Sequence, residues 1–195
     1  MSHRVAAVVL AAGFGRRFGA GNKLHQQLAG RPLLCHSLAP LSAVGLAEVI
    51  VVHAPEDALA GELAQSFGFR ALANPARAQG LGKSLASGVA ALSQDITAVL
   101  VVLGDMPRIP AAAHRAVVAA FTGDETEIWV PTFEARAGHP VLFGRAHFAA
   151  LAALNADEGA RSVLAARPAA VRRLALAEPG ILLDVDTPAG LQALE

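Results

Sequence analysis

Four short runs in this 195-residue chain are apolar without a break: residues 5–12, Val49–Val52, Val99–Leu103 and Ile128–Val130. A strand with one wet face alternates apolar and polar side chains, whereas a strand covered on both faces has no need to. The runs therefore predict buried parallel strands. Segments of helical length lie between and after them, at 33–43, 56–66, 83–94 and 110–121. Strand–helix alternation predicts a three-layer α/β/α sandwich around a mostly parallel, Rossmann-like sheet with right-handed crossovers. After residue 131 the pattern changes. Pro140-Val141-Leu142-Phe143 reads as a strand, 146–153 and 158–166 as helices, and Leu182-Leu183-Asp184 as the end of a short strand. Thr187 can cap a last helix that has Pro188 at its first position. No repeat or linker divides the chain, so one domain over 1–195 is expected, long enough to bury roughly 70% of its unfolded surface.

Composition narrows the partners. Hydrophobic residues make up 54% of the chain and charged ones 16%, which argues against disorder. Sixteen basic residues balance sixteen acidic ones, so neither nucleic acid nor a membrane surface is an expected partner, and any anion site is local. Cys35 is the only cysteine. It excludes an internal disulfide framework and a multi-cysteine metal site, and it fits a reducing cytoplasm. His3-Arg4 before an apolar stretch superficially resembles a secretory leader. The stretch, however, runs into Gly15-Arg16-Arg17 with no polar cleavage region. No apolar run approaches the ~18 residues of a membrane span.

The first apolar run empties into Gly13-Phe14-Gly15-Arg16-Arg17-Phe18-Gly19-Ala20-Gly21-Asn22-Lys23. Glycines let a backbone come close to a ligand and expose its N–H groups, and cations neutralise anionic oxygens. This is what a triphosphate needs, so Leu10, Ala11, Ala12, Gly13, Gly15 and the cations Arg16, Arg17 and Lys23 are the candidate nucleotide-binding residues. A dinucleotide fingerprint fits less well: the third glycine is displaced, and the second strand ends in His53-Ala54-Pro55 rather than an acid. A structural glycine turn with solvated arginines is the plain alternative.

In such sheets ligands bind beyond the carboxyl ends of the strands. Gly104-Asp105-Met106-Pro107 lies at such an end, where a carboxylate can hold Mg²⁺ or simply shape a turn. Asp184, placed on a strand, is the second candidate metal ligand. Asp186, just before a helix, has a structural reading through the helix dipole. Gly80-Leu81-Gly82-Lys83-Ser84 lacks the first glycine of a P-loop, since Arg77 stands there. It reads as a helix start presenting Gly82 and Ser84 to a nucleoside, or as a plain cap. His139 reads as an acceptor contact or a hydrogen-bonded structural histidine. Arg161 reads as a phosphate contact or a partner of Asp157 at i+4.

Taken together, Leu10-Ala-Ala-Gly-x-Gly-x-Arg17-x-Gly19-x-x-x-Lys23 and Gly104-Asp-Met-Pro107 resemble the signature loop and metal segment of the α/β nucleotidyltransferases. Gly138-His-Pro-Val-Leu-Phe143, Asp157-x-Gly-Ala-Arg161 and Leu183-Asp-Val-Asp-Thr-Pro188 resemble a narrower branch, the molybdenum cofactor nucleotidyltransferases, on its cytidylyl side. The resemblance implies transfer of CMP from CTP to the terminal phosphate of molybdopterin cofactor, with release of pyrophosphate. It assigns Arg17 and Lys23 to the triphosphate, Asp105 and Asp184 to Mg²⁺, and Gly82 and Ser84 to the nucleoside. The guanylyl branch resembles Leu-Ala-Gly-Gly at the first loop; the methyl of Ala12 would crowd a purine and favours cytosine. Lys83 stands where the family has a small residue, Ala156 where it has glycine, and no acidic pair follows Pro188. The alternatives are a GTP-using or sugar- or alditol-phosphate nucleotidyltransferase, and a non-catalytic carrier delivering molybdenum cofactor to a partner oxidoreductase.

Overall fold

The computed structural model describes residues 3–13, 18, 22–155 and 159–194. The strands are β1 (Val5–Ala11), β2 (Gln27–Leu28), β3 (Arg31–Pro32), β4 (Glu48–His53), β5 (Arg70–Ala73), β6 (Ala98–Leu103), β7 (Ile128–Phe133), β8 (Arg136–Ala137), β9 (Val141–Gly144) and β10 (Val171–Ala175). The α-helices are α1 (Leu33–Leu38), α2 (Ala58–Ser66), α3 (Leu81–Ala90), α4 (Ala111–Ala120), α5 (Phe148–Ala152), α6 (Arg161–Ala166) and α7 (Pro188–Gln192).

The main sheet runs β10-β7-β9-β6-β1-β4-β5, with β8 hairpinned onto β7. The β1–β4, β1–β6, β4–β5 and β7–β10 pairs are parallel, while β9 runs antiparallel between β6 and β7. The longest apolar run thus became an interior strand, with Val8 facing Ile50 on one side and Val101 on the other. All seven residues of β1 are buried, which is why its sequence does not alternate. Its odd residues, Val5, Ala7, Val9 and Ala11, pack with α1, α2 and α4. Val8 and Leu10 pack with α3, α5 and α6. This is the three-layer α/β/α arrangement.

One close approach places α3 over the site. A Cβ on Gly88 would stand 2.5 Å from Val8 Cγ1 and 3.0 Å from Val52 Cγ2. Any side chain there would lift the helix, and its first turn, away from the sheet.

Two sequence expectations change. Residues 182–184 are not a strand. Pro179–Leu182 is a 3-10 turn, and the following backbone bonds to loops instead, with Val185 N–H donating to the Asp105 carbonyl at 2.9 Å. Conversely, β5 and β10 are strands the apolar pattern does not mark. Both lie at sheet edges, and β10 carries exposed Arg172 and Arg173. An edge strand has less to bury, so it lacks the apolar run that identifies a central one.

Candidate active site

Lys23 opens a single 3-10 turn, Lys23–His25, whose middle residue Leu24 is buried in the core under α1. Docking Leu24 directs Lys23 towards the carboxyl ends of β1 and β6. Its Nζ donates to Asp105 Oδ2 at 2.6 Å and to Asp186 Oδ1 at 2.9 Å. The Lys23 side chain is 12% exposed, and those of Asp105 and Asp186 are 21% and 31%. Burial works against the ammonium, but attraction and hydrogen bonds from Asp105 and Asp186 outweigh it and hold Lys23 above the ordinary lysine value. Lys23 is therefore a fixed cation at neutral pH.

Three struts place the carboxylates. The buried Ser37 hydroxyl on α1 donates to the Gly104 carbonyl at 2.8 Å, and Gly104 N–H donates to the Leu10 carbonyl at 3.0 Å, so the residue before Asp105 is tied to α1 and β1. The Val185 N–H on the Asp105 carbonyl then draws the 183–186 loop onto the same spot. That loop is held from the far side as well, where His139 N–H donates to the Ile181 carbonyl at 2.9 Å. A Cβ on Gly138 would lie 2.5 Å from that carbonyl oxygen, so this approach requires glycine.

The loop brings Asp186, rather than Asp184, onto Lys23. Asp186, read from sequence as a helix-dipole residue, shares Lys23 with Asp105; the side-chain cap of α7 is Thr187, which accepts the Gly190 N–H. Asp184 is exposed and lies on the rim of the adjoining cavity. Two carboxylate oxygens converging on one point form a hard donor pair. Among the described residues no group of three His, Cys, Asp or Glu side chains is placed to hold a metal. The described residues thus offer Asp105 and Asp186 as a carboxylate pair, a donor set that fits a hard divalent cation keeping waters and sharing substrate phosphates.

Other candidate residues fall along the same rim. Leu10, Ala11 and Ala12 are buried at the end of β1, Ala12 with 3% of its surface exposed. Gly13 is exposed, with nothing within 4 Å of where a Cβ would stand. Gly15, Arg16, Arg17 and Asp157 lie outside the described residues. Gly82 and Ser84 are buried in the first turn of α3, and the Ser84 hydroxyl oxygen accepts from Asn74 Nδ2 at 3.1 Å. The hydroxyl oxygen is thus engaged from inside the fold, at the start of the helix. Arg77 reaches the Ala12 carbonyl at 3.4 Å and also pairs with Glu56.

A cavity of about 530 Å³ opens beside the aspartates between β6, β9 and α6. Leu85, Val101, Val141 and Leu164 supply apolar wall, and His139, Arg161, Asp184 and Asp186 supply polar groups. His139 is thereby brought near Asp184 and Arg161. Its Nδ1 is buried without a hydrogen-bond partner among the described residues. Burial pushes its imidazole below the usual histidine value and Arg161 adds to this, against the Val101 backbone and the Asp105 and Asp184 charges. His139 is therefore neutral at neutral pH and offers a hydrogen bond rather than a charge.

A β1 followed in sequence by a glycine-rich segment, a lysine bridging two aspartates and an adjoining cavity agree with what comparison finds. A family model described as the MobA-like NTP transferase domain matches residues 7–173. The chain belongs to this family. The MobA-like NTP transferase chain is 34% identical over 148 residues to the bifunctional protein GlmU of Sphingopyxis alaskensis, covering 74% of this chain and 32% of that protein. It is 38% identical over 123 residues to the 2-C-methyl-D-erythritol 4-phosphate cytidylyltransferase of Chromobacterium violaceum, covering 60% and 53%. It thus spans about a third of the first of these and half of the second. The crystal structure of Rv0371c from Mycobacterium tuberculosis superposes with a TM-score of 0.84 at 26% identity, over 100% of this chain and 98% of that one. A manganese complex of Rv0371c gives 0.81.

Asn22, His25, Asp57, Asn74 and Arg77 were not singled out by sequence as functional side chains. Asp57 carried a legible signal, an acid just before a helix, but nothing in its neighbourhood pointed to residues 22–25.

Proposed function

We propose that this nucleotidyltransferase family member transfers CMP from CTP to the terminal phosphate of molybdopterin cofactor and releases pyrophosphate. The observation that carries the reading is Lys23, the last residue of the glycine-rich segment, held between Asp105 and Asp186. An acceptor phosphate oxygen attacks the α-phosphorus, a P–O bond forms, and the bond to the β-phosphate bridging oxygen breaks. The acceptor is already anionic, so no side-chain base is required. Catalysis is positioning plus stabilisation of charge growing on pyrophosphate.

In this reading Lys23 and Arg17 neutralise the triphosphate, and backbone amides of residues 10–13, with Gly15 and Arg16, line the nucleotide. Asp105 and Asp186 would hold Mg²⁺, with Asp184 beside them, and the ion supplies charge neutralisation of phosphate oxygens. Arg161 supplies the cation for the acceptor phosphate and neutral His139 a hydrogen bond. The apolar walls of the cavity suit a flat ring system. The preference for cytosine rests on Ala12. Delivery of the product to a partner molybdoenzyme is compatible with this reading.

The second reading takes a sugar or alditol phosphate as acceptor. It is favoured by the likeness to GlmU and to the methylerythritol phosphate cytidylyltransferase. One experiment separates the two. The protein is incubated with each of the four nucleoside triphosphates, Mg²⁺ and either molybdopterin cofactor, 2-C-methyl-D-erythritol 4-phosphate or a sugar 1-phosphate, and pyrophosphate is followed. Release with CTP and molybdopterin alone supports the first reading; release only with the phosphorylated polyols replaces it.

A further inference from the structure

Two residues flanking Lys23 in the chain lead to a single carboxylate that the proposed reaction does not use. Asn22 Nδ2 donates to Asp57 Oδ2 at 2.5 Å, and His25 Nε2 donates to Asp57 Oδ1 at 2.7 Å. Asp57 Oδ1 also accepts the Ala60 N–H at 3.0 Å as the N-cap of α2, which fixes the carboxylate to a helix. Its side chain is 4% exposed. Asn22 Oδ1 accepts the Leu24 N–H at 3.0 Å and starts the 3-10 turn. Asn22 Nδ2 and His25 Nε2 lie 3.3 Å apart, each an N–H donor aimed at Asp57, so their proximity reflects a shared acceptor rather than a bond between them.

The turn is therefore tied to α2 at both ends and pinned in the middle by buried Leu24. For three residues this is heavy anchoring, and it spans separations of 35 and 32 residues. A lysine stem is long and loses rotamer freedom when fixed, so it holds a set point only if its backbone is held as well. Lys23 has such a point: its partners come from the end of β6 and from the C-terminal loop, elements with no part in building the turn.

We infer that Asp57, acting through Asn22 and His25, is a positioning residue for Lys23. The kinetic consequence rests on the nucleotidyl-transfer reading above; the structural consequence does not.

Lys23 and Lys83 are the two lysines of the chain, so amine acetylation read by mass spectrometry reports Lys23 against an internal control. Asp57→Ser keeps a capping hydroxyl for α2 but cannot reach both Asn22 and His25. His25→Leu removes one donor and leaves the cap untouched, and His25→Gln returns a donor near the Nε2 position. Lys23 acetylation relative to Lys83 is expected to rise severalfold in Asp57→Ser and His25→Leu and to stay near wild type in His25→Gln, with melting temperature little changed in the histidine variants. In the transfer assay kcat should fall about tenfold or more with the same pattern and KM should move less, as expected for a misplaced charge. Unchanged Lys23 acetylation in His25→Leu overturns the inference. So does an equal rise at Lys83, which reports general loosening. If wild-type protein turns over no nucleotide, the transfer reading fails while the acetylation comparison still decides this one.

Discussion

Replacing Lys23 by Met keeps the stem and removes the charge between Asp105 and Asp186. Two oxygens that each reach one Nζ, at 2.6 and 2.9 Å, can be no more than about 5.5 Å apart. At that separation two unit charges repel by ~3 kcal/mol at an effective dielectric constant near 20. The pair also loses two charge-assisted hydrogen bonds, each worth ~1.5–3 kcal/mol where fully buried. Partial exposure of all three side chains, 12%, 21% and 31%, reduces both effects. A net loss of ~2–4 kcal/mol is expected in EDTA, which for a chain of this size lowers the melting temperature by about 4–16 °C. A divalent cation that binds the same two carboxylates should offset the loss, so Mg²⁺ should raise the melting temperature of the variant more than that of wild type. The assay is thermal unfolding of both proteins with EDTA and across a Mg²⁺ titration. Equal melting temperatures in EDTA would show that Lys23 does not hold the carboxylates together. Equal Mg²⁺ responses would remove the aspartate pair from the metal site.

Three further outcomes follow from the same geometry. Asp186→Asn should lower transfer activity and raise the Mg²⁺ requirement, as should Asp105→Asn, whereas Asp184→Asn should change the Mg²⁺ dependence little; a Mg²⁺ titration of the three variants checks this, and an Asp184 effect exceeding that of Asp186 would reverse the assignment. Ala12→Gly should raise GTP use relative to CTP by about tenfold at most, the low end of a one-methyl discrimination, because the Ala12 methyl is already largely covered by protein; competing the two nucleotides at subsaturating concentration measures it. His114 donates through Nδ1 to the Pro110 carbonyl at 3.0 Å, its Nε2 is buried without a partner among the described residues, and burial holds its value below 6.5. The unfolded chain therefore takes the proton first, and stability should fall below pH 6.5 by up to about 1.4 kcal/mol per pH unit until the folded imidazole titrates; urea unfolding across that range should show a shallower acid limb in His114→Leu.

Continuous apolar runs sufficed to identify β1, β4, β6 and β7, because a strand covered on both faces writes its burial directly into its composition. The glycine-rich segment after β1 and the acid after β6 were legible for a related reason: both follow such a run, and chemistry in a parallel sheet gathers at the carboxyl ends. Sequence alone thus determined the fold class and brought Lys23 and Asp105 forward as one site. It pointed to Asp184 rather than Asp186 as the carboxylate to join Asp105. The two stand two residues apart with similar neighbours, and it is Asp186 that reaches Lys23, on a loop placed by a Val185 N–H on the Asp105 carbonyl and by a hold at Ile181 from the other side. It could not tell that the Ser84 hydroxyl turns to Asn74, nor that Asp57 serves Asn22 and His25 as well as its own helix. Local pattern records how much of a residue is covered, and the tertiary structure alone records by what, because polar partners 32 to 163 residues apart leave no periodic trace in the chain between them.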